Sequence, residues 1–165
     1  MITIGIDPGT RVTGYGIVKS KGRSNQLIEY GCIRLPIKAK KSERYHLIFN
    51  DIERLLEKYS PQALAVETQF VNKNVQSAIC LAVIRGIIIL AATRREVPVF
   101  EYSPTKAKSA VVGNGRASKK QVQGMVKLLL NLPNLPEPED AADALALALC
   151  HSQSAISKLS VSSCV

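Results

Sequence analysis

Alternating hydrophobic residues open the chain and predict a β-strand. Isoleucine occupies every second position over residues 2–6, and the strand ends at Asp7, before the turn-forming pair Pro8-Gly9. Two further strands are predicted over 14–19 and 26–35, joined by short glycine-containing loops. These three strands are therefore expected to form an antiparallel meander.

The next segments alternate between helical and strand patterns. A helix capped by Ser42 is predicted because apolar residues recur at helical spacing after it. The apolar run 63–66 predicts a central strand covered on both faces, with Glu67 at its carboxyl end. An alanine- and isoleucine-rich helix over 74–94 and a strand over 97–102 complete a strand–helix–strand unit.

The last third of the chain is predicted to be helical. Ser103-Pro104 and Ser118 supply the N-terminal signals of two helices, the second of which runs to about residue 132. After a proline-rich break, a last helix is predicted over 139–151. The serine-rich segment 152–165 has no convincing period and is expected to be a flexible tail.

Composition narrows the class of protein. Hydrophobic residues make up 46% of the 165 residues and charged residues 21%, which predicts one globular domain with a real core. Lysine and arginine exceed the acidic residues, giving a net charge of +9. This excess favours a polyanionic partner, nucleic acid first, although a gain in solubility explains it equally well.

Cysteine usage and hydropathy indicate a cytoplasmic protein. The four cysteines lie far apart without a disulfide-like spacing and are expected to be buried thiols of a reducing compartment. The N-terminus shows no secretory signal pattern. The longest apolar run, 87–92, is too short to span a bilayer, so no membrane association is expected.

Four carboxylates lie where a metal site is expected. Asp7 and Glu67 both end strands, and ligands of open α/β sheets gather at that edge. Asp140 and Asp143 share one helix face, from which they can oppose the strand-end acids. Taken singly, these acids are explained by a turn or a helix N-terminus. In combination they would repel one another unless cations were bound, which predicts magnesium-assisted phosphodiester hydrolysis.

Five segments carry a resemblance to a known family: GIDPGTRVTGYG (5–16), AVETQFVNKN (65–74), VFEY (99–102), VVGNGRASKKQVQ (111–123) and EDAADALALAL (139–149). From residue 1 to about 151, the sequence resembles the bacterial RuvC family, which resolves four-way (Holliday) DNA junctions. The resemblance implies a ribonuclease H-like α/β domain over 1–151, with a mixed five-stranded sheet flanked by helices. In that sheet, parallel strands are added to the antiparallel meander.

The same resemblance implies an activity and its partners. RuvC-like proteins are homodimers that nick two opposing strands of the junction symmetrically, in recombination and repair, with magnesium. Two ions per subunit are expected, with Mn²⁺ as a substitute. A branch-migration helicase complex is the implied protein partner. From the sequence itself, the 74–94 helix offers Ile79, Val83 and Gly86 as a candidate dimer interface, although core packing is an equally ordinary interpretation.

The resemblance assigns the family's functional residues to individual positions of this sequence. The family's catalytic, metal-binding acids fall on Asp7, Glu67, Asp140 and Asp143. The candidate DNA contacts are one aromatic and five basic residues: Phe70, Lys73, Lys108, Arg116, Lys119 and Lys120. An exposed aromatic ring stacks on unpaired bases, and basic side chains neutralise phosphates. The structural alternatives are a core phenylalanine and a solvated basic face around a flexible glycine-containing loop.

Two other classes of protein share part of this pattern. Sugar kinase, actin and chaperone ATPases also begin with a G-x-D-x-G-T loop, but they need two related domains, more than 165 residues supply. A non-catalytic junction-binding protein of the same fold would have lost one or more of the acids. The complete set of acids therefore favours the enzyme.

Overall fold

The computed structural model describes residues 1–68 and 75–162 of the chain. The strands of this part are β1 (Ile2–Asp7), β2 (Val12–Lys21), β3 (Ser24–Arg34), β4 (Ala63–Glu67) and β5 (Val99–Tyr102). The helices are α1 (Lys41–Tyr59), α2 (Val75–Arg94), α3 (Pro104–Val112), α4 (Lys119–Leu129) and α5 (Glu139–Ser162).

The strands form one mixed five-stranded sheet in the order β3-β2-β1-β4-β5, which confirms the predicted fold class. The β1–β2 and β2–β3 pairs are antiparallel, whereas β4 joins β1 in parallel and β5 joins β4 in parallel. In the β1–β4 register, Ile6 pairs with Val66. The following residues, Asp7 and Glu67, therefore end neighbouring strands at the same edge of the sheet.

Helices cover both faces of this sheet. Ile4 and Val66 are fully buried in a cluster with apolar residues of α1 and α2. Ala65, one residue before Val66, packs instead against α5 on the opposite face. Since successive strand residues point to opposite faces, Asp7 and Glu67 project toward the side of the sheet that α5 covers.

Glycines on β1 and β2 allow α5 to lie directly on the sheet. A Cβ atom at Gly5 would overlap the carbonyl oxygen of Ala144, and one at Gly14 would overlap the carbonyl oxygen of Asp140. Only a residue without a side chain permits this approach of helix backbone to strand backbone. The first turns of α5 are thereby held beside the end of β1.

Three predicted helix boundaries are wrong. Helix α1 begins at Lys41, not after a Ser42 cap, and a Glu43 carboxylate oxygen accepts a hydrogen bond from the Lys40 backbone N–H at 3.0 Å. The N-cap residue is therefore Lys40, and the Glu43 side chain accepts from its backbone N–H as the N3 residue of a capping box. Helix α4 ends at Leu129, earlier than the predicted residue 132, and α5 continues well beyond His151.

The predicted tail over 152–165 is wrong at its start, because α5 extends to Ser162. Ser152 is fully buried. Its hydroxyl lies 2.8 Å from the Ser20 hydroxyl of β2 and donates to the Ala148 carbonyl at 3.0 Å. Serine can be buried at this position because its hydroxyl has two hydrogen-bond partners, the Ser20 hydroxyl and the Ala148 carbonyl.

Two of the cysteines are more accessible than predicted. Cys150 is buried in α5, as expected, but Cys32 and Cys80 are only partly buried. Cys32 belongs to β3 at the edge of the sheet, and Cys80 to the first half of α2. Their positions away from the main core explain the difference from the prediction.

Helix α2 is more apolar than its longest uninterrupted run indicates. It is long and apolar enough to cross a membrane by length and composition, with a mean hydropathy of 2.2, and only 22% of that window is buried. Its inner residues Ile84 and Ile88 are nevertheless in the core beside α1. Helix α2 is therefore an integral part of this domain, with a largely uncovered outer face.

Candidate active site

A cavity of about 230 Å³ lies at the edge of the sheet where β1 and β4 end. It is lined by Asp7, Glu67, Pro104, Ala107, Lys108, Lys119, Val122, Asp143 and Ala146. The fold thus brings together three of the four predicted acids, from two strands and α5. It adds two of the basic residues predicted to contact DNA, one from α3 and one from α4.

Asp140 is placed beside this cavity, not within its lining. It lies in the first turn of α5, before Asp143, and its charge contributes to the raised pKa of Asp7. Within residues 1–68 and 75–162, no three His, Cys, Asp or Glu side chains converge closely enough to hold a metal ion. The four acids therefore surround a common region without meeting at one point.

Burial and mutual repulsion raise the pKa values of these acids. Burial, followed by the charges of Glu67, Asp143 and Asp140, raises the pKa of Asp7 to about 8. Burial and Asp143 likewise raise the pKa of Glu67 to about 7, while Lys108 and Lys119 act in the opposite direction. The Asp143 pKa is also raised, mainly by burial. This excess of buried negative charge and the oxygen-only donor set fit a divalent cation.

Lys119 forms ion pairs at the mouth of the cavity. Its Nζ lies 3.1 Å from Glu139 Oε2 and 3.7 Å from Asp143 Oδ2. Lys119 is the first residue of α4, and the Ser118 hydroxyl caps this helix as predicted, accepting from the Gln121 N–H at 3.3 Å. The cap fixes the start of α4, so Lys119 is held over the first turn of α5.

Two residues that support the site escaped the sequence analysis. Glu139 pairs with Lys119 from a helix that is twenty residues further along the chain, and no short-range spacing indicates such a pair. Buried Thr13 exchanges hydrogen bonds of 3.3 Å with the backbone N–H and C=O of Gly9. Thr13 thereby fixes the loop that follows Asp7.

The remaining predicted DNA contacts are outside the cavity lining. Arg116 and Lys120 are exposed around the connection from α3 to α4, close in sequence to Lys119. This arrangement extends the positive charge beyond the cavity. Phe70 and Lys73 lie outside the described residues, so their roles stay predictions.

The raised pKa of Asp7 predicts that the metal-free protein loses stability as pH rises. Asp7 ionises near pH 4 in the unfolded chain but only near pH 8 in the folded protein. Its contribution to the free energy of unfolding is therefore complete below pH 4 and is lost progressively as the pH rises to about 8. In EDTA, unfolding free energy should fall between pH 5.5 and 8. Asp7→Asn should remove about 2 kcal/mol of that fall, a figure reduced for solvent screening.

Chemical denaturation at both pH values checks this expectation. Asp51→Asn is the matched control, because Asp51 pairs with Arg54 on the surface of α1. An equal pH dependence of unfolding free energy in wild type and Asp7→Asn would show that Asp7 is not the source of the fall in stability.

A mixed sheet of this order, with acids at the ends of two adjacent strands and on the helix that crosses them, defines a ribonuclease H-like nuclease. The family model for crossover junction endodeoxyribonuclease RuvC matches residues 3–151. The chain belongs to the RuvC family, whose nucleases depend on divalent metal ions.

Relatives resemble the chain over nearly its whole length. The crossover junction endodeoxyribonuclease RuvC of Protochlamydia amoebophila is 55% identical over 97% of this chain and 95% of its own. The RuvC of Ruminiclostridium cellulolyticum is 46% identical over 93% of both chains. A solved structure of T. thermophilus RuvC in complex with Holliday junction substrate superposes with a TM-score of 0.91, at 34% identity over 96% of each chain. These matches confirm the family and the fold, and the family is RuvC and not that of the two-domain ATPases.

Proposed function

We propose that this protein resolves four-way (Holliday) DNA junctions by nicking two opposing strands symmetrically, in recombination and repair. The observation that carries the proposal is the cavity that joins carboxylates of β1, β4 and α5 to Lys108 and Lys119. The lysines would attract a backbone phosphate, and the acids would hold the cations needed for hydrolysis. The T. thermophilus relative, solved with a Holliday junction substrate, supports this class of substrate.

Asp7, Glu67, Asp140 and Asp143 are the proposed catalytic residues, and they would hold two Mg²⁺ ions per subunit, with Mn²⁺ as a substitute. When bound, such ions activate water and stabilise the leaving oxygen of a phosphodiester. The protein contributes rigid positions for the ligands. Two acids end paired strands, and two lie on a helix that glycines allow to rest on those strands.

The basic and aromatic residues are proposed to position the DNA. Lys108 and Lys119 line the cavity and would neutralise the phosphate that enters it. The exposed Arg116 and Lys120 would contact neighbouring phosphates, with Lys73 adding to the same charge. Phe70 is proposed to stack on an unpaired base near the junction centre.

The outer face of α2 is proposed to form the homodimer interface. Its large exposed apolar residues are Val75, Ile79, Val83 and Leu90, with exposed fractions between 38% and 61%. Ile79, Val83, Gly86 and Leu90 are spaced by four, three and four residues, the spacing of a seam between two paired helices. A Cβ atom at Gly86 would meet open space, so nothing in the described chain requires glycine there. A partner helix approaching closely would require it.

The proposal includes a cellular location and a protein partner. A nuclease acting on bacterial recombination intermediates works in the cytoplasm, beside the chromosome. A branch-migration helicase complex is the proposed partner, on the strength of the family resemblance. The non-catalytic alternative keeps junction binding without strand cleavage, and it is separated from the enzyme by measuring nicks.

Cleavage of a synthetic four-way junction with Mg²⁺ is the deciding experiment. We expect paired nicks at symmetric positions, none in EDTA, and at least about tenfold slower cutting of a linear duplex of the same arm sequence. Equal cutting of the duplex would exclude a junction-selective enzyme, and binding without any nicks would favour the non-catalytic alternative.

A further inference from the structure

A second cavity, of about 290 Å³, lies beside the loop that follows Asp7 and contains several cationic and polar groups. Its lining includes Thr10, Arg11, Lys41, Arg44, Gln76 and Ser77. These residues come from the β1–β2 loop and from the first turns of α1 and α2. Among the described residues, this lining contains three basic side chains and no carboxylate.

Arg44 is held in place and has unused donor capacity. One of its terminal nitrogens donates to the Thr10 carbonyl, which fixes the guanidinium beneath the β1–β2 loop. Its Nε is buried and has no hydrogen-bond partner among the described residues. Buried donors are rarely left unsatisfied, and a guanidinium is well suited to an anion with several oxygens.

The other two cations are accessible from solvent. Arg11 and Lys41 are exposed, and neither side chain forms an ion pair within the described residues. The acid of the first α1 turn, Glu43, is engaged by the backbone N–H of Lys40. The first turn of α2 contains no acid. The positive ends of both helix dipoles add to this potential.

We propose that Arg11, Lys41 and Arg44 form an anion cradle that binds one backbone phosphate of the DNA substrate, away from the phosphate that is cut. This inference rests on the proposed function. Arg11 follows Asp7 by four residues, so their Cα atoms are at most about 14 Å apart. Adding roughly 10 Å at each end for the side chain and its contact gives at most about 34 Å between the two phosphates. With a rise of about 3.4 Å per nucleotide, the bound phosphate lies within about ten nucleotides of the scissile one. The cradle fixes the register of the strand relative to the acids.

Salt-dependent binding of a four-way junction tests the cradle. The double variant Arg11→Gln/Lys41→Gln leaves Arg44 and its loop contact intact. With Ca²⁺ in place of Mg²⁺, its Kd should rise about tenfold at 0.1 M salt, and the slope of log K against log salt should fall by about one. The control Lys21→Gln/Arg23→Gln removes the same amount of positive charge at the β2–β3 turn. This turn lies at the other end of the strands from the β1–β2 loop. The control should leave the slope unchanged.

Methylphosphonate scanning of the junction locates the phosphate. Neutralising one position within about ten nucleotides of the cleavage site should weaken wild-type binding severalfold and leave the double variant unaffected. Equal slopes for both double variants, or no such position, would overturn the cradle. A thermal shift with inorganic phosphate that the double variant loses, without any change in junction Kd, would overturn it in favour of a free-phosphate site.

Failure of the cradle is distinguishable from failure of the proposed function. Wild-type protein that binds and nicks the four-way junction no better than duplex removes the function itself. Junction-selective wild-type protein with an unaffected double variant removes the cradle alone. Thermal melting of each variant, expected within about 2 °C of wild type because both side chains are exposed, shows that the fold is retained.

Discussion

Replacing Asp7 with asparagine is expected to lower the rate of junction nicking by at least about a thousandfold, equivalent to about 4 kcal/mol of activation free energy. Asp7 is the most strongly coupled acid of the cavity, because its pKa responds to all three of the other predicted acids. An amide keeps the size of the side chain but removes the anionic oxygen that a divalent cation needs.

Junction affinity should persist in the same variant. Removing a buried negative charge lessens repulsion of phosphate, so Kd should stay within about threefold of wild type or become tighter. Nicking is measured under single-turnover conditions, with binding by fluorescence anisotropy in Ca²⁺. Asp51→Asn serves as the matched control, since Asp51 pairs with Arg54 away from the cavity. Near-normal nicking by Asp7→Asn would remove Asp7 from the proposed catalytic set.

Placing aspartates at Ile79 and Val83 is expected to convert the proposed homodimer to a monomer. Both residues are exposed on the outer face of α2. In a helix pair, each aspartate would be buried against apolar side chains, which costs several kcal/mol without a compensating partner. Sedimentation velocity should give the mass of one chain, about 17.9 kDa, instead of two.

Loss of the dimer should uncouple the two nicks. A symmetric pair of active sites can reach two equivalent strands of one junction, whereas a monomer reaches one. On a supercoiled plasmid with an extruded cruciform, wild type should give linear product and the variant mainly nicked circles. Leu128→Asp is the control, because Leu128 is 72% exposed on α4. A dimeric Ile79→Asp/Val83→Asp protein, or one that still gives linear product, would place the interface elsewhere.

The fold was predictable where local patterns agree with the tertiary arrangement. Alternation at residues 2–6 and the apolar run at 63–66 gave two strands whose pairing then followed from the family resemblance. The caps at Ser103 and Ser118 were correct because each hydroxyl accepts a backbone N–H within its own helix. Such interactions depend on residues three or four positions apart and can be read directly.

The sequence predictions failed for segments whose structure depends on contacts with residues far away in the chain. The last helix continues past His151 because Ser152 finds a hydroxyl partner in β2, far away in the chain. The longest apolar run of α2, 87–92, begins after Arg85 and Gly86, and it understates the apolar character of the whole helix. Arg85 pairs with Glu101 of β5, so its charge is compatible with an otherwise apolar helix. In both helices a polar side chain is satisfied by a tertiary contact.

For the candidate site, the sequence by itself determined which acids are present and that two of them end strands. It also fixed the family, through motifs covering most of the chain. Only the tertiary structure decided that Asp143 enters the cavity while Asp140 lies beside it, and that Lys119 pairs with Glu139. The reason is that glycine-mediated contact between α5 and the sheet sets the depth of the helix. That contact joins residues more than a hundred positions apart, and no local pattern contains it.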